Sequence, residues 1–298
     1  MNIASGARAL AEFIRQNPRL VVLTGAGCST PSGIPDYRDA SGNWNPGPPV
    51  LGAQFVRELP ARQRYWARSL NGWPRFRAAR PNAAHRALAS LEQRGHVRRL
   101  ITQNVDGLHQ RAGSRAVTEL HGSLARVRCL GCGAVCMRAE VQRVLERDNP
   151  GFRNLDAAPA PDGDAQLETQ RLGGFRVPDC PRCGGTLKPD VVFFGESVPA
   201  PTVATCLDAL AQADALLCVG TSLMVYSGFR FCRHAAARGQ PVAALNLGRT
   251  RADDLLTLKI AAPCDAVLTA LLGEMSVQPE VPNALQRSEP PSSTSTMA

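Results

Sequence analysis

The clearest chemistry in this chain sits in four cysteines. Cys129-Leu130-Gly131-Cys132 and Cys180-Pro181-Arg182-Cys183 form two C-x-x-C knuckles. Gly131 and Gly133 flank the first pair, and Pro181 with Gly184-Gly185 flanks the second, so tight turns let the thiolates of each knuckle converge on one ion. This pattern predicts a tetrahedral zinc site with Cys129, Cys132, Cys180 and Cys183 as ligands. Four thiolates fill the coordination sphere, which leaves no position for a catalytic water and makes the site structural. A thioredoxin-like redox motif or unrelated buried cysteines are the competing readings, and two knuckles in one chain favour the metal. The other cysteines, Cys28, Cys136, Cys206, Cys218, Cys232 and Cys264, lie mostly in apolar stretches and read as small core residues.

A second signal lies where apolar runs end in small or polar residues. Residues 19–24 read as a buried strand that runs directly into Gly25-Ala26-Gly27. Further strand-like runs fall at 97–102, 191–194, 214–219 and 241–246. Helical patterns lie around them: 7–17, stopped by Pro18, then Val203, Leu207 and Leu210, then 229–237. This alternation predicts an α/β fold with a Rossmann-like, mostly parallel sheet. Ligands of such sheets bind outside the carboxyl ends of the strands, where Gly25-Ala26-Gly27, Gln103-Asn104, Gly220-Thr221-Ser222 and Asn246-Leu247-Gly248 would gather. The first turn reads G-A-G-C-S and lacks the third glycine of G-x-G-x-x-G, so alone it does not separate a nucleotide site from an ordinary turn.

Composition bounds the rest. The 298 residues are 44% hydrophobic and 20% charged, an ordinary globular balance. No apolar run reaches the roughly 18 residues of a membrane-spanning helix, so no membrane partner is expected. The net charge of +9 is almost all arginine, since Lys188 and Lys259 are the only lysines. These arginines are scattered rather than blocked, which argues against nucleic acid as a partner. The opening Met1-Asn2-Ile3-Ala4-Ser5-Gly6 lacks the regions of a signal peptide and leads into a helix with Leu10, Phe13 and Ile14 on one face. A cytoplasmic location is expected, and a reducing compartment suits zinc thiolates better than disulfides. Residues 149–178, rich in Pro, Gly, Asp and Ala, read as a long loop, and 276–298 as a disordered tail.

The motifs also occur in a distinctive order. Gly25-Ala26-Gly27-Cys28-Ser29, Gly33-Ile34-Pro35-Asp36-Tyr37-Arg38, Thr102-Gln103-Asn104-Val105-Asp106-Gly107-Leu108, His121-Gly122, the two knuckles, Val192-Phe193-Phe194-Gly195-Glu196, Gly220-Thr221-Ser222-Leu223 and Asn246-Leu247-Gly248 succeed one another as in sirtuins. Over residues 5–272 the chain resembles these NAD-dependent protein deacylases. Arg62-Gln63-Arg64-Tyr65-Trp66-Ala67-Arg68, Gly72-Trp73-Pro74 and Tyr226-Ser227-Gly228 bring it nearest the class II branch with the animal sirtuin 4 type, and the arginine bias suits a bacterial cytosol.

The resemblance implies a catalytic domain over 1–274, with a zinc module at about 122–190 and a cofactor loop at about 30–50, followed by the tail. It implies NAD as co-substrate and one structural zinc ion. The cofactor contacts it implies are Gly25, Ala26, Gly27, Ser29, Asp36, Tyr37, Arg38, Gln103, Asn104, Val105, Asp106, Gly220, Thr221, Ser222, Asn246, Leu247, Gly248 and Cys264. Asn104 and Asp106 would hold nicotinamide and its ribose. His121 is the expected general base, an imidazole whose ordinary pKa of about 6.5 keeps it usable near neutrality. By resemblance, an acyl-lysine carbonyl attacks the ribose C1′, His121 activates a ribose hydroxyl, and O-acyl-ADP-ribose and free lysine result. The acyl-lysine peptide would lie as an added strand between 191–195 and 223–227, against Val192, Phe193, Phe194 and Leu223. Tyr65 and Arg68 resemble the Tyr-x-x-Arg pair with which desuccinylase-type sirtuins bind an acyl carboxylate, so acidic or bulky acyl groups are candidates. Many sirtuins have proline and alanine where Ser227-Gly228 stands here, which leaves peptide preference open. Competing functions are a protein mono-ADP-ribosyltransferase and a zinc-containing nucleic-acid-binding module.

Overall fold

The computed structural model describes residues 2–37, 50–153, 155, 159–161, 164–165, 172 and 174–276. Arg38, most of the expected cofactor loop, much of the loop between the knuckles and nearly all of the expected tail lie outside the described residues.

Helix α1 (Ile3–Gln16) starts ahead of the expected boundary because the Asn2 side chain accepts the Ser5 N–H at 2.8 Å and caps it. It stops before Pro18 and buries Leu10, Phe13 and Ile14. Strand β1 (Leu20–Thr24) is buried along its whole length. Then come α2 (Gly52–Arg57), α3 (Leu59–Ala78), α4 (Ala83–Gln93), β2 (Val97–Thr102), α5 (Leu108–Arg111) and β3 (Val117–Glu119). A second group follows: β4 (Gly122–Cys129), β5 (Val135–Met137), α6 (Arg138–Asp148), the two-residue strands β6 (Pro159–Ala160) and β7 (Asp164–Ala165), and β8 (Leu187–Val191). The chain then returns through α7 (Ala200–Ala211), β9 (Ala215–Val219), α8 (Tyr226–Ala237), β10 (Val242–Leu245), β11 (Leu258–Ile260) and α9 (Cys264–Glu274).

The fold is the expected Rossmann-like α/β arrangement. Six parallel strands are ordered β11-β10-β9-β1-β2-β3. Alternation along β1 divides the core: Leu20 and Val22 pack with Leu10, Ile14, Leu88 and Leu268 on one face, and Val21 and Leu23 pack with Leu210 and Phe231 on the other. A strand buried on both faces is apolar along its run, as Leu20 to Leu23 are, and the polar Thr24 at its end has its hydroxyl bonded to Thr102 Oγ1 at 2.9 Å.

The register levels the carboxyl ends. Thr24 pairs with both Thr102 and Val219, and Val219 pairs with Leu245. Strand order reverses between β1 and β9, so this level edge is also a topological switch point.

One expected strand is corrected. Residues 191–194 are not a strand of the main sheet. The strand is β8, Leu187–Val191, at the edge of a small antiparallel sheet ordered β5-β4-β8. Pro189 is tolerated because an edge strand has one row of backbone groups free of ladder bonds. Beyond Val191 the apolar run leaves the sheet, and Phe194 forms an isolated bridge to Leu51. A third core joins this sheet to α2, α3 and α6 through Phe55, Trp66, Val127, Leu145 and Phe193. Among the described residues no helix is long and apolar enough to cross a membrane.

Candidate active site

A cavity of about 580 Å³ opens at the switch point. Its wall includes Gly25, Ala26, Gly27, Asp36, Tyr37, Gln103, Asn104, Val105, Gly220, Thr221, Ser222, Asn246, Leu247, Gly248 and Cys264 from the expected cofactor set. Tyr65, Arg68, Val192, Phe193, Phe194, Leu223 and His121 line the same space. Ser29 stands one layer behind and bonds to Asn104 of the wall, and Asp106 is reached through Ser29. The residues that sequence spreads over more than two hundred positions therefore meet around one opening, with Arg38 alone outside the described residues.

Backbone packing explains the glycines. A Cβ on Gly25 would stand 2.7 Å from Cβ of Thr221, and one on Gly27 would stand 3.0 Å from the Gly220 carbonyl oxygen. Gly220 itself has φ 58° and no room for a side chain against the Cys28 backbone. The two turns close on each other at these glycines, which bring backbone to the cavity wall. Such a cradle admits the pyrophosphate of a dinucleotide.

Polar groups behind the cradle are fixed by one network. The Asn104 amide donates to the Gly25 carbonyl and to Ser29 Oγ, each at 3.0 Å. The Ser29 hydroxyl donates to Asp106 Oδ2 at 2.7 Å, and the Leu108 N–H donates to Asp106 Oδ1 at 2.8 Å. Burial pushes the Asp106 carboxyl up, against the pull of these donors. The Gln103 amide donates to Thr221 Oγ1 at 2.9 Å and ties β2 to β9 across β1. A Cβ on Gly228 would lie 2.6 Å from Gln103 Oε1, so the glycine beside Ser227 leaves space for that amide.

His121 is held by both ring nitrogens. Nδ1 lies 3.0 Å from the Gln103 carbonyl oxygen, which can only accept. Nδ1 therefore carries the proton of the neutral ring, and Nε2 keeps its lone pair. The Ser227 hydroxyl donates to Nε2 at 2.8 Å. Burial lowers the His121 pKa, with the Gln103 carbonyl partly opposing it. A neutral imidazole with its lone pair at the cavity wall is equipped to take a proton. Ser227, 106 residues away, is expected only as the end of the peptide-flanking segment 223–227, and nothing local in the sequence joins it to His121.

The four knuckle cysteines converge. Cys129 and Cys183 sulfurs are 3.5 Å apart, and Cys132 and Cys180 sulfurs 3.8 Å. A zinc tetrahedron with Zn–S bonds of about 2.3 Å has S···S edges of about 3.8 Å, so the donor set fits one ion. Backbone N–H groups of Gly131 and Cys132 point at Cys129 Sγ at 3.3 and 3.5 Å, as expected around a thiolate. Of the remaining cysteines, Cys28, Cys206, Cys218, Cys232 and Cys264 are buried, and Cys136 on the edge strand β5 is half-buried.

Two further features carry no motif in the sequence. Lys188, one of two lysines, is nearly buried and pairs with Glu196 at 3.0 Å while donating to the Val191 carbonyl at 2.6 Å. Glu196 in turn accepts the Phe193 N–H at 2.9 Å, so this pair shapes the segment that lines the cavity. The scarcity of lysine was the available signal. His85 and His109 are also buried, with ring centroids 4.7 Å apart beneath the glycine turn.

Known proteins bear on this site. The Sir2 family model matches residues 25–227. The chain is 60% identical over 263 residues to a protein named NAD-dependent protein deacetylase from Xanthomonas campestris pv. campestris strain 8004, covering 88% of this chain and 90% of that one. It is also 60% identical to NAD-dependent protein deacetylase 2 of Bradyrhizobium diazoefficiens, covering 89% and 97%. Among solved structures, a Sir2–p53 peptide–NAD+ complex matches with a TM-score of 0.73 at 28% identity, over 93% of this chain and 100% of that one. A structure described under the mechanism and regulation of Sir2 enzymes gives 0.73 at 34% identity, over 91% and 98%. With the family model spanning most of the chain and relatives this similar along almost their full length, the protein belongs to the Sir2, or sirtuin, family.

Proposed function

We infer that this chain is an NAD-dependent protein-lysine deacetylase, with acyl transfer to ADP-ribose as its reaction. The observation that carries the reading is His121, whose tautomer is set by Gln103 and whose basic Nε2 faces the same cavity as the glycine cradle. The relatives' names and the NAD-bearing neighbour support the activity and the co-substrate.

NAD bound in the cradle supplies an electrophilic ribose carbon with nicotinamide as its neutral leaving group. The chain's residues then act by position and proton transfer. Asn104 and Asp106 offer an amide and a carboxylate at the ends of a fixed network, suited to a carboxamide and ribose hydroxyls. His121 Nε2 accepts a ribose hydroxyl proton, for which Ser227 must turn away. Val192, Phe193, Phe194 and Leu223 give the lysine stem an apolar wall. The four-cysteine cluster would hold a structural zinc ion that takes no part in this chemistry.

Within the family we place the chain in class II, near the sirtuin 4 type. Tyr65 and Arg68 stand one turn apart on α3 and both line the cavity, while the Tyr65 ring packs 5.3 Å from Phe193. A phenol and a guanidinium beside the acyl-lysine wall favour an acyl group ending in a carboxylate. Turnover of acetyl-, glutaryl- and lipoyl-lysine peptides tests this. The expected outcome is glutaryl turnover above acetyl, with Arg68→Met lowering glutaryl turnover about tenfold or more. An acetyl preference that Arg68→Met leaves untouched refutes the acidic-acyl assignment.

A further inference from the structure

Beneath the glycine turn, Cys28, His85 and His109 are each essentially excluded from solvent, and one ligand atom from each lies within 4.8 Å of the others. Three elements supply them: the turn after β1, the first turn of α4, and α5 after β2. His109 Nε2 lies 2.9 Å from Thr24 Oγ1, yet its Nδ1 is buried with no hydrogen-bond partner. A buried ring nitrogen without a partner is costly, and it is an orphan that a metal ion would satisfy. His85 is more loosely held, with Nε2 3.4 Å from Ser29 Oγ and Nδ1 3.3 Å from the Asn82 N–H. Long bonds of this kind give way readily.

Charge points the same way. A divalent ion here would be held by one thiolate from Cys28 and two neutral imidazoles, with the Asp106 carboxylate outside the ligand set as a second negative charge, linked to the cluster through Ser29 at 2.7 Å. One thiolate and one carboxylate balance a charge of two, the condition for burying such an ion. Sulfur and imidazole donors select a thiophilic borderline metal over magnesium or calcium.

We propose that Cys28, His85 and His109 form a second cation site, distinct from the four-cysteine cluster, for a thiophilic divalent ion such as zinc, and that its occupation opposes NAD binding. On binding, the Cys28 S–H bond breaks, a sulfur–metal bond forms, and the proton leaves to solvent. Opposition to NAD follows because the ion would engage the Ser29–Asp106 pair and the turn that carries Gly25 and Gly27. This second part rests on the NAD assignment of the cavity, whereas the metal count does not.

The test uses the full chain with its four-cysteine site loaded, equilibrated with buffered zinc and freed of excess ion. Elemental analysis is expected to give about two zinc ions per chain for the wild type and about one for Cys28→Ala, with Cys206→Ala, a buried cysteine on the other face of the sheet, remaining at about two. X-ray absorption on the wild type is expected to show mean sulfur ligation falling from about four to about two and a half per zinc as the second ion enters. NAD affinity, read by calorimetry, is expected to fall about tenfold or more with the second zinc in the wild type and to ignore zinc in Cys28→Ala. A wild-type chain that stops at one zinc overturns the site, as does a second zinc retained by Cys28→Ala or bound with unchanged sulfur ligation. NAD affinity indifferent to a bound second zinc overturns the coupling and leaves the NAD reading of the cavity intact.

Discussion

His121 joins the two halves of the site: Nδ1–H holds the backbone at the end of β2, and Nε2 meets Ser227 at the start of α8. A general base is worth about 10²–10⁴ in rate, so under the role proposed for His121, His121→Ala should cut turnover by that factor while the circular dichroism spectrum and melting temperature stay near wild type. The pH profile follows from the direction of the shift. Burial lowers the His121 pKa, so the base stays unprotonated through neutrality and the acid limb of kcat falls below the ordinary imidazole value of 6.5. Ser227→Ala removes a donor that favours the unprotonated ring, and should move that limb upward. Gly228 makes a comparable case by absence. Gly228→Ala presses a Cβ onto the Gln103 amide and should raise KM for NAD or lower kcat, by about tenfold, with little loss of stability.

At the scale of elements, what could be read in advance was what is written locally. The LVVLT strand running into Gly25-Ala26-Gly27 names its own burial and its own turn, and C-x-x-C twice over names a metal chemistry. The alternation of strands and helices carried the fold class for the same reason. Residues 191–194 misled because an apolar run bordering a cavity has the composition of a strand bordering a core. Partners distant in sequence were not legible at all: Ser227 with His121, Gly228 with Gln103, and the buried pair His85 and His109 depend on how β1, β2 and β9 are ordered and levelled. The small β5-β4-β8 sheet carries the knuckles, with Cys129 ending β4 and Leu187 pairing beside it. A zinc ion held by the four cysteines would tie the two knuckles together, so chelation should lower the melting temperature and activity together. An unchanged melting temperature after verified zinc loss contradicts the structural role.

Taken whole, the molecule should be acid-sensitive for an identifiable reason. Burial lowers His85 from 6.5 to about 4 and lowers His109 well below its ordinary value, with Arg86 and His85 respectively adding to the effect. In the chain without the second ion both rings are neutral when folded, and both take up protons more readily when unfolded. Below pH 6.5 the unfolded chain therefore binds more protons, and stability falls as the pH drops from 6.5 towards 4. His85 alone accounts for up to about 3 kcal/mol across that window. Thermal melts at stepped pH should show the decline, and His85→Gln should flatten it if the variant folds.

In the proposed function the cradle and His121 serve one reaction on NAD and an acylated lysine. Mass spectrometry of an acyl-lysine peptide incubated with the protein and NAD tests it most directly. Free-lysine peptide, nicotinamide and O-acyl-ADP-ribose are expected in equal amounts, only with NAD present, and His121→Ala is expected to suppress all three. Deacylation that proceeds without NAD, or ADP-ribosylated protein formed while the peptide keeps its acyl group, would contradict it.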